Sequence, residues 1–160
     1  MERRGYLDLS RLTPGELLGC LSALVLLGSL WLPWFTTSSS NHNSKLAGHC
    51  CGDSVSAWNT FSTLRWLLVA ACTAPFILSW IIARGHSLTW RPGEVTMIVG
   101  ITAFVLILCN GVILGRPGDS VDIGLDIGYF VGLLGSSGML AAGYLRQAIY
   151  TDARKPPGVL

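Results

Sequence analysis

Charge is what this sequence has least of. Asp, Glu, Lys and Arg make up 12% of its 160 residues, and the net charge is only +2. An ordinary soluble domain carries about 25% charged residues. This deficit excludes a nucleic-acid binder, which needs a basic field to displace counterions from phosphates. It also excludes a disordered chain, whose hydrophobicity is low and charge high. Catalytic patterns are missing too: there is no Gly-x-Ser-x-Gly elbow, Walker loop or dinucleotide glycine fingerprint. The cysteines and histidines lack Cys-x-x-Cys and His-x-x-x-His spacing. No catalytic residue, metal or cofactor is expected.

What is abundant is apolar surface. Hydrophobic residues reach 51%, and the mean hydropathy is +0.53. Four segments contain no Asp, Glu, Lys or Arg: 17–44, 66–83, 95–115 and 127–145, the last three 18, 21 and 19 residues long. About 20 apolar residues cross the hydrocarbon core as a helix. Leu24-Val25-Leu26-Leu27 and Phe104-Val105-Leu106-Ile107-Leu108 do not alternate as lipid-facing barrel strands do. The expected fold is therefore an all-α membrane protein, a bundle of four transmembrane helices at about 15–35, 60–83, 93–114 and 123–146. Residues 1–14 form a short leading segment, 36–59 an outer loop and 147–160 a tail. The first run ends in Trp31-Leu32-Pro33-Trp34-Phe35, too bulky for signal-peptidase cleavage, so it is expected to stay as an anchor.

Arg3, Arg4, Arg11, Arg84, Arg91, Arg146, Arg154 and Lys155 fall on one side of these spans. Lys45, Arg65 and Arg116 fall on the other. The positive-inside rule then puts both termini in the cytoplasm of a plasma-membrane protein. Aromatic residues fit that orientation. Trp31, Trp34 and Trp58 form an outer patch, joined by Trp66 and Tyr129; Tyr6, Trp80, Trp90 and Tyr144 lie at the inner interface.

Finer features concern packing. Thr13-Pro14-Gly15-Glu16 combines an N-cap, a first-turn proline and a capping-box glutamate. Arg91-Pro92-Gly93-Glu94 opens the third span similarly, which is compatible with a duplicated hairpin or simply a favoured helix start. Pro75 interrupts the second span and is expected to kink it. In the fourth span Gly124, Gly128, Gly132 and Ser136 recur every four residues, a stripe that lets backbones approach closely in lipid. Its partner is another helix of the bundle or a second protein. Gly143, further along, is expected to tolerate alanine.

The polar residues near the outer edge are Arg65, Asn110, Asp122 and Asp126. Their similar depth predicts an Arg65–Asp126 pair with Asn110 nearby, as a clamp or as a ligand contact. In the outer loop, His49-Cys50-Cys51 has no metal-ligand spacing, and Cys20, Cys72 and Cys109 read as small core residues.

The motifs Trp31–Phe35, Ser56-Ala57-Trp58-Asn59-Thr60-Phe61 and the glycine-rich last span resemble small four-helix membrane proteins of high-GC actinobacteria. That resemblance implies a bacterial plasma membrane and no assigned activity. The topology and the last span, from Ile123 onward, also look like claudin-type proteins. The first loop departs from theirs, which has a Gly-Leu-Trp and two separated cysteines. Cys50-Cys51-Gly52 is similar to the tetraspanin Cys-Cys-Gly but lies in the first rather than the second outer loop. Taken together, the expectation is a non-catalytic membrane protein that assembles with itself or with an envelope complex. A small carrier built on the outer polar residues is the alternative, and a redox or metal enzyme built on His49-Cys50-Cys51 a distant third. The expected partners are the lipid bilayer and a protein or second copy, with no nucleic acid.

Overall fold

A computed structural model describes residues 12–85, 93–114, 117 and 122–153. The chain is mostly helical, with α1 (Pro14–Ser29), a one-turn α2 (Ala57–Thr60), α3 (Leu64–Ala83), α4 (Glu94–Leu108) and α5 (Ile127–Ala153). Five short strands accompany them: β1 (Pro33–Thr36), β2 (Lys45–Leu46), β3 (His49–Cys50), β4 (Ser54–Ser56) and β5 (Gly124–Leu125). The expected helical character is seen, and the short strands are an addition that the all-α expectation lacked. The segments expected on the outer side fold into an antiparallel sheet of order β4-β1-β5 and a separate β2-β3 hairpin.

Among the described residues three helical stretches are long and apolar enough to cross a membrane: Leu64–Ala83, Glu94–Ile113 and Ile127–Ile149. The first apolar helix is shorter, ending at Ser29 after 16 residues rather than near 35. Leu30, Trp31 and Leu32 tighten the exit by donating three residues back. Pro33 then has no N–H to continue a helical ladder, and the aromatic and β-branched run that follows pairs as a strand. The fourth expected span shifts the other way. Residues 124–125 are strand, and α5 runs from Ile127 past 146 to Ala153, into the expected tail. The third ends in a π turn, Cys109–Ile113, and the second begins at Leu64 after the separate α2.

Capping explains where α1 starts. Thr13 and Glu16 form the capping box, with the Thr13 amide donating to Glu16 Oε2 at 2.7 Å. Pro75 lies inside α3 and is buried. Its Cβ lies 3.6 Å from where a side chain on Gly19 would begin, so the ring fills a notch in α1.

Helix α5 packs on both α1 and α4, and α3 also touches both of those helices. The glycines of α5 set the spacing. A Cβ on Gly135 would lie 2.7 Å from Leu26 N, one on Gly143 2.5 Å from Met97 N, and one on Gly128 2.6 Å from Pro33 O. Backbone therefore meets backbone along two edges of α5. Gly124 abuts Thr36, and Gly132 abuts Ser29 and the Trp34 ring. Ser136, fully buried, satisfies its hydroxyl on Gly132 O and Leu133 O of its own helix. Within the chain the small-residue stripe is occupied by α1 and β1.

The sheet locks onto this packing through Trp34. Its ring is fully buried and edge-on to Tyr129, at 5.7 Å between ring centroids. Its indole N–H donates to Ser29 O at 2.7 Å, a second bond on a carbonyl at the end of α1 that also accepts from Leu32 N. An irregularity in β1 between Pro33 and Phe35 lets Trp34 and Phe35 both be buried, although adjacent strand residues ordinarily face opposite ways.

Candidate functional site

The four outer polar residues are not gathered into one site. Among the described residues Arg65 makes no carboxylate pair. Its Nη1 donates to Trp58 O at 2.9 Å, and its Cζ lies 5.1 Å from the Trp58 ring centroid and 5.8 Å from that of Trp66. Asp126 instead starts α5. Its Oδ1 accepts from Ile127 N at 2.6 Å, its Oδ2 accepts from Ser54 Oγ at 3.3 Å, and its own amide donates to Trp34 O at 2.8 Å. Asp122 ties down the first outer loop, accepting from Asn41 Nδ2 on Oδ2 and from Ser44 Oγ on its carbonyl, both at 3.3 Å. The expected Arg65–Asp126 pair is therefore replaced by a local bond from Arg65 to Trp58 and by Asp122 and Asp126 bonds that fasten the two loop segments to each other.

Asn110 repairs its own helix. It sits in the π turn, where Leu114 N bonds Cys109 O five residues back. Asn110 Nδ2 donates to Leu106 O at 2.8 Å, and Tyr129 Oη donates to Ile107 O at 3.3 Å. In an apolar surrounding an unbonded carbonyl costs several kcal/mol, and these two side chains add donors beside the widened ladder, on Leu106 O together with the Cys109 amide and on Ile107 O. Gly111 makes room for the phenol, since any side chain there would collide with the Tyr129 ring.

The outer aromatic patch also differs from expectation. Trp34 belongs to the core, and Trp66 takes its place at the surface. Trp31 stacks on Trp58 at 5.2 Å, and Trp58 meets Trp66 at 5.4 Å. Trp31 and Trp66 are each 57% exposed. Sequence spacing pointed to Trp58 and Arg65 separately but gave no sign that one ring carries the guanidinium of the other.

In the β2-β3 hairpin Lys45 pairs with Cys50 and Leu46 with His49. Cys50 and Cys51 are both free thiols, and no metal-holding cluster of His, Cys, Asp or Glu occurs among the described residues. The Cys51 thiol is pushed above its usual range, first by its hydrogen bond with Cys50 and further by the nearby Asp53. A thiol held protonated is a poor nucleophile and metal ligand. His49 Nδ1 lies 3.6 Å from Asp53 Oδ2 at an exposed position.

At the opposite end of the helices lies a polar group that the sequence did not single out. Arg146 Nε lies 2.8 Å from Glu16 Oε1, with the two side chains 14% and 7% exposed. Its Nη1 donates to Glu16 Oε2 at 3.1 Å and to Thr13 Oγ1 at 2.7 Å. Gly15 and Gly93, from the two similar helix starts, both back onto Arg146. A Cβ on either would lie 3.3 Å and 2.8 Å from its Cβ. The sequence counted Arg146 only as a cytoplasmic charge. The available signal was Glu16, an acidic side chain about to enter an apolar bundle. Arg3, Arg4, Tyr6, Arg11, His86, Trp90, Arg91, Arg116, Arg154 and Lys155 lie outside the described residues.

No protein-family model, curated protein or solved structure matches the chain.

Proposed function

We propose that this is a non-catalytic, four-span protein of the plasma membrane, with both termini cytoplasmic, that holds a rigid outer platform for assembly with a second copy or an envelope protein. The observation that carries this reading is the fusion of the two outer segments. β1 pairs with β4 on one edge and with β5 on the other, and Asp122 and Asp126 add side-chain ties between the same segments. An outer surface fixed this firmly to the helices suits binding of another protein better than passage of a solute.

Helix α1 spans about 24 Å at ~1.5 Å per residue. In the proposed topology Leu30–Phe35 completes the crossing, its backbone bonded within the protein as membrane depth requires. The exposed tip of the platform is the hairpin with His49 and Cys51.

A photoreactive amino acid substituted at His49, in native membranes, tests the reading. A single crosslinked species of fixed mass is expected, weakened when Asn41→Ala and Ser44→Ala release the loop from Asp122. Monomer alone after irradiation overturns the assembly reading. Orientation is read separately by an impermeant thiol reagent on cells expressing a variant without native cysteines, with Ser39→Cys or Ser87→Cys added. Labelling at 39 and protection at 87 is the expected pattern, and the reverse overturns the topology.

A further inference from the structure

We propose that Arg65, cradled by Trp58 and Trp66, binds the phosphodiester headgroup of an anionic phospholipid. Depth is the first argument. Arg65 is the second residue of α3, a helix of 20 residues and hence about 30 Å long, the thickness of the hydrocarbon core. It therefore lies at the level of the lipid phosphates when α3 crosses the bilayer.

Charge is the second. Arginine offers five N–H donors in a planar fork, yet one hydrogen bond, to Trp58 O, is made within the described residues. Its Nε is removed from solvent and has no hydrogen-bond partner. The first turn of α3 contains no acidic residue, and Thr63 makes no side-chain cap bond. A cation there is opposed by the positive end of the helix dipole. An anion bound at that place relieves both charges at once.

Shape is the third. The guanidinium is held against two indoles, which fixes its fork without using its donors. Beside it Trp66 and Leu67 are 57% and 51% exposed, offering apolar surface to the acyl chains of the same lipid. A bidentate arginine–phosphate contact between these groups matches phosphodiester geometry. A zwitterionic lipid presents the same phosphate, but its ammonium weakens the net attraction to an unpaired guanidinium, so selection falls on the anionic headgroup.

The test uses the full chain, purified in mild detergent with equal phosphatidylglycerol and phosphatidylcholine of the same acyl composition. Retained lipids are counted by native mass spectrometry. Phosphatidylglycerol is expected to be retained about tenfold over phosphatidylcholine. Arg65→Gln brings the two to near parity, and Arg65→Lys keeps part of the preference. Arg84→Gln removes a charge that also lies over a tryptophan, Trp80 at 4.7 Å, but at the far end of α3, and leaves retention unchanged.

Parity in the wild-type protein, persistence of the preference in Arg65→Gln, or an equal loss in Arg84→Gln each overturns the proposal. Bilayer quenching of tryptophan fluorescence by brominated phosphatidylglycerol against brominated phosphatidylcholine needs no variant. It must show stronger quenching by the anionic lipid, and equal quenching also overturns the proposal. Excess inorganic phosphate should not displace the retained lipid; if it does, the site takes phosphate rather than lipid. None of these readings depends on crosslinking at the hairpin, so the lipid site and the assembly platform fail separately.

Discussion

Breaking the Glu16–Arg146 pair should show that the start of α1 and the later part of α5 are held together by a buried charge cluster. Both side chains are largely removed from solvent, and two contacts of 2.8 Å and 3.1 Å join them. Deleting one member of such a pair strands the other and costs about 3–5 kcal/mol. Thr13 lowers the figure here, because its amide still donates to Glu16 and its hydroxyl still accepts from Arg146. Arg146→Met or Glu16→Gln alone should each destabilise by roughly 2–3 kcal/mol. The double variant strands no charge and should recover roughly 2 kcal/mol of the summed loss. The assay is unfolding of the detergent-solubilised protein, followed by circular dichroism for all four members of the cycle, at low salt and again at 1 M salt. Burial predicts that added salt leaves the coupling largely intact. Losses that add to within about 0.5 kcal/mol, or a coupling abolished by salt, would refute the reasoning.

Glycine substitutions in α5 and α1 should divide sharply. Gly143→Ala places a Cβ 2.5 Å from Met97 N and 2.6 Å from Gly93 O, so the mild effect expected from sequence is corrected to a loss of roughly 1–3 kcal/mol in the same assay. Gly28→Ala meets nothing within 4 Å and should be neutral or stabilising by up to about 1 kcal/mol. For the hairpin, the rate of maleimide addition at Cys51 should rise with pH to a midpoint above that of an ordinary thiol, because its hydrogen bond with Cys50 and the charge of Asp53 raise the pKa. Cys50→Ala with Asp53→Asn should lower the midpoint, and an unchanged pH profile would refute that cause.

Hydropathy made most of the helical architecture legible, because a charge-free run of sufficient length has few other uses. It failed where a strand is as apolar as a helix. Leu30 through Phe35 continues the first run without a break in hydrophobicity, and only Pro33 and the aromatic and threonine content after it mark the change. The outer polar residues were expected at one depth, and the structure gives Arg65 and Asp126 different partners. Depth fixes position along a helix axis, whereas a pair such as Arg65–Asp126 also requires the two faces to turn toward each other. Trp58, seven residues away, reaches Arg65 first. The glycine spacing signalled close approach, and periodicity identified the stripe, but nothing in a single helix says whether α1, β1 or another protein fills it. The two Pro-Gly-Glu starts were legible as similar, and their common backing onto Arg146 required the third dimension.

The order of strands across the outer sheet has a consequence for synthesis. β1 is the central strand, and its partner β5 lies just ahead of the last helix. While a ribosome is still making α3 and α4, β1 can hold β4 but has an open edge, and the Trp34 ring lacks Gly128 and Gly132 to rest on. The segment from Gly124 onward therefore closes the sheet, seats the tryptophan and fills the groove between α1 and α4 together. A chain truncated before Gly124 would expose an unpaired strand edge and two unfilled helix faces to the bilayer surface, the kind of feature by which membrane quality control tells an unfinished product from a finished one.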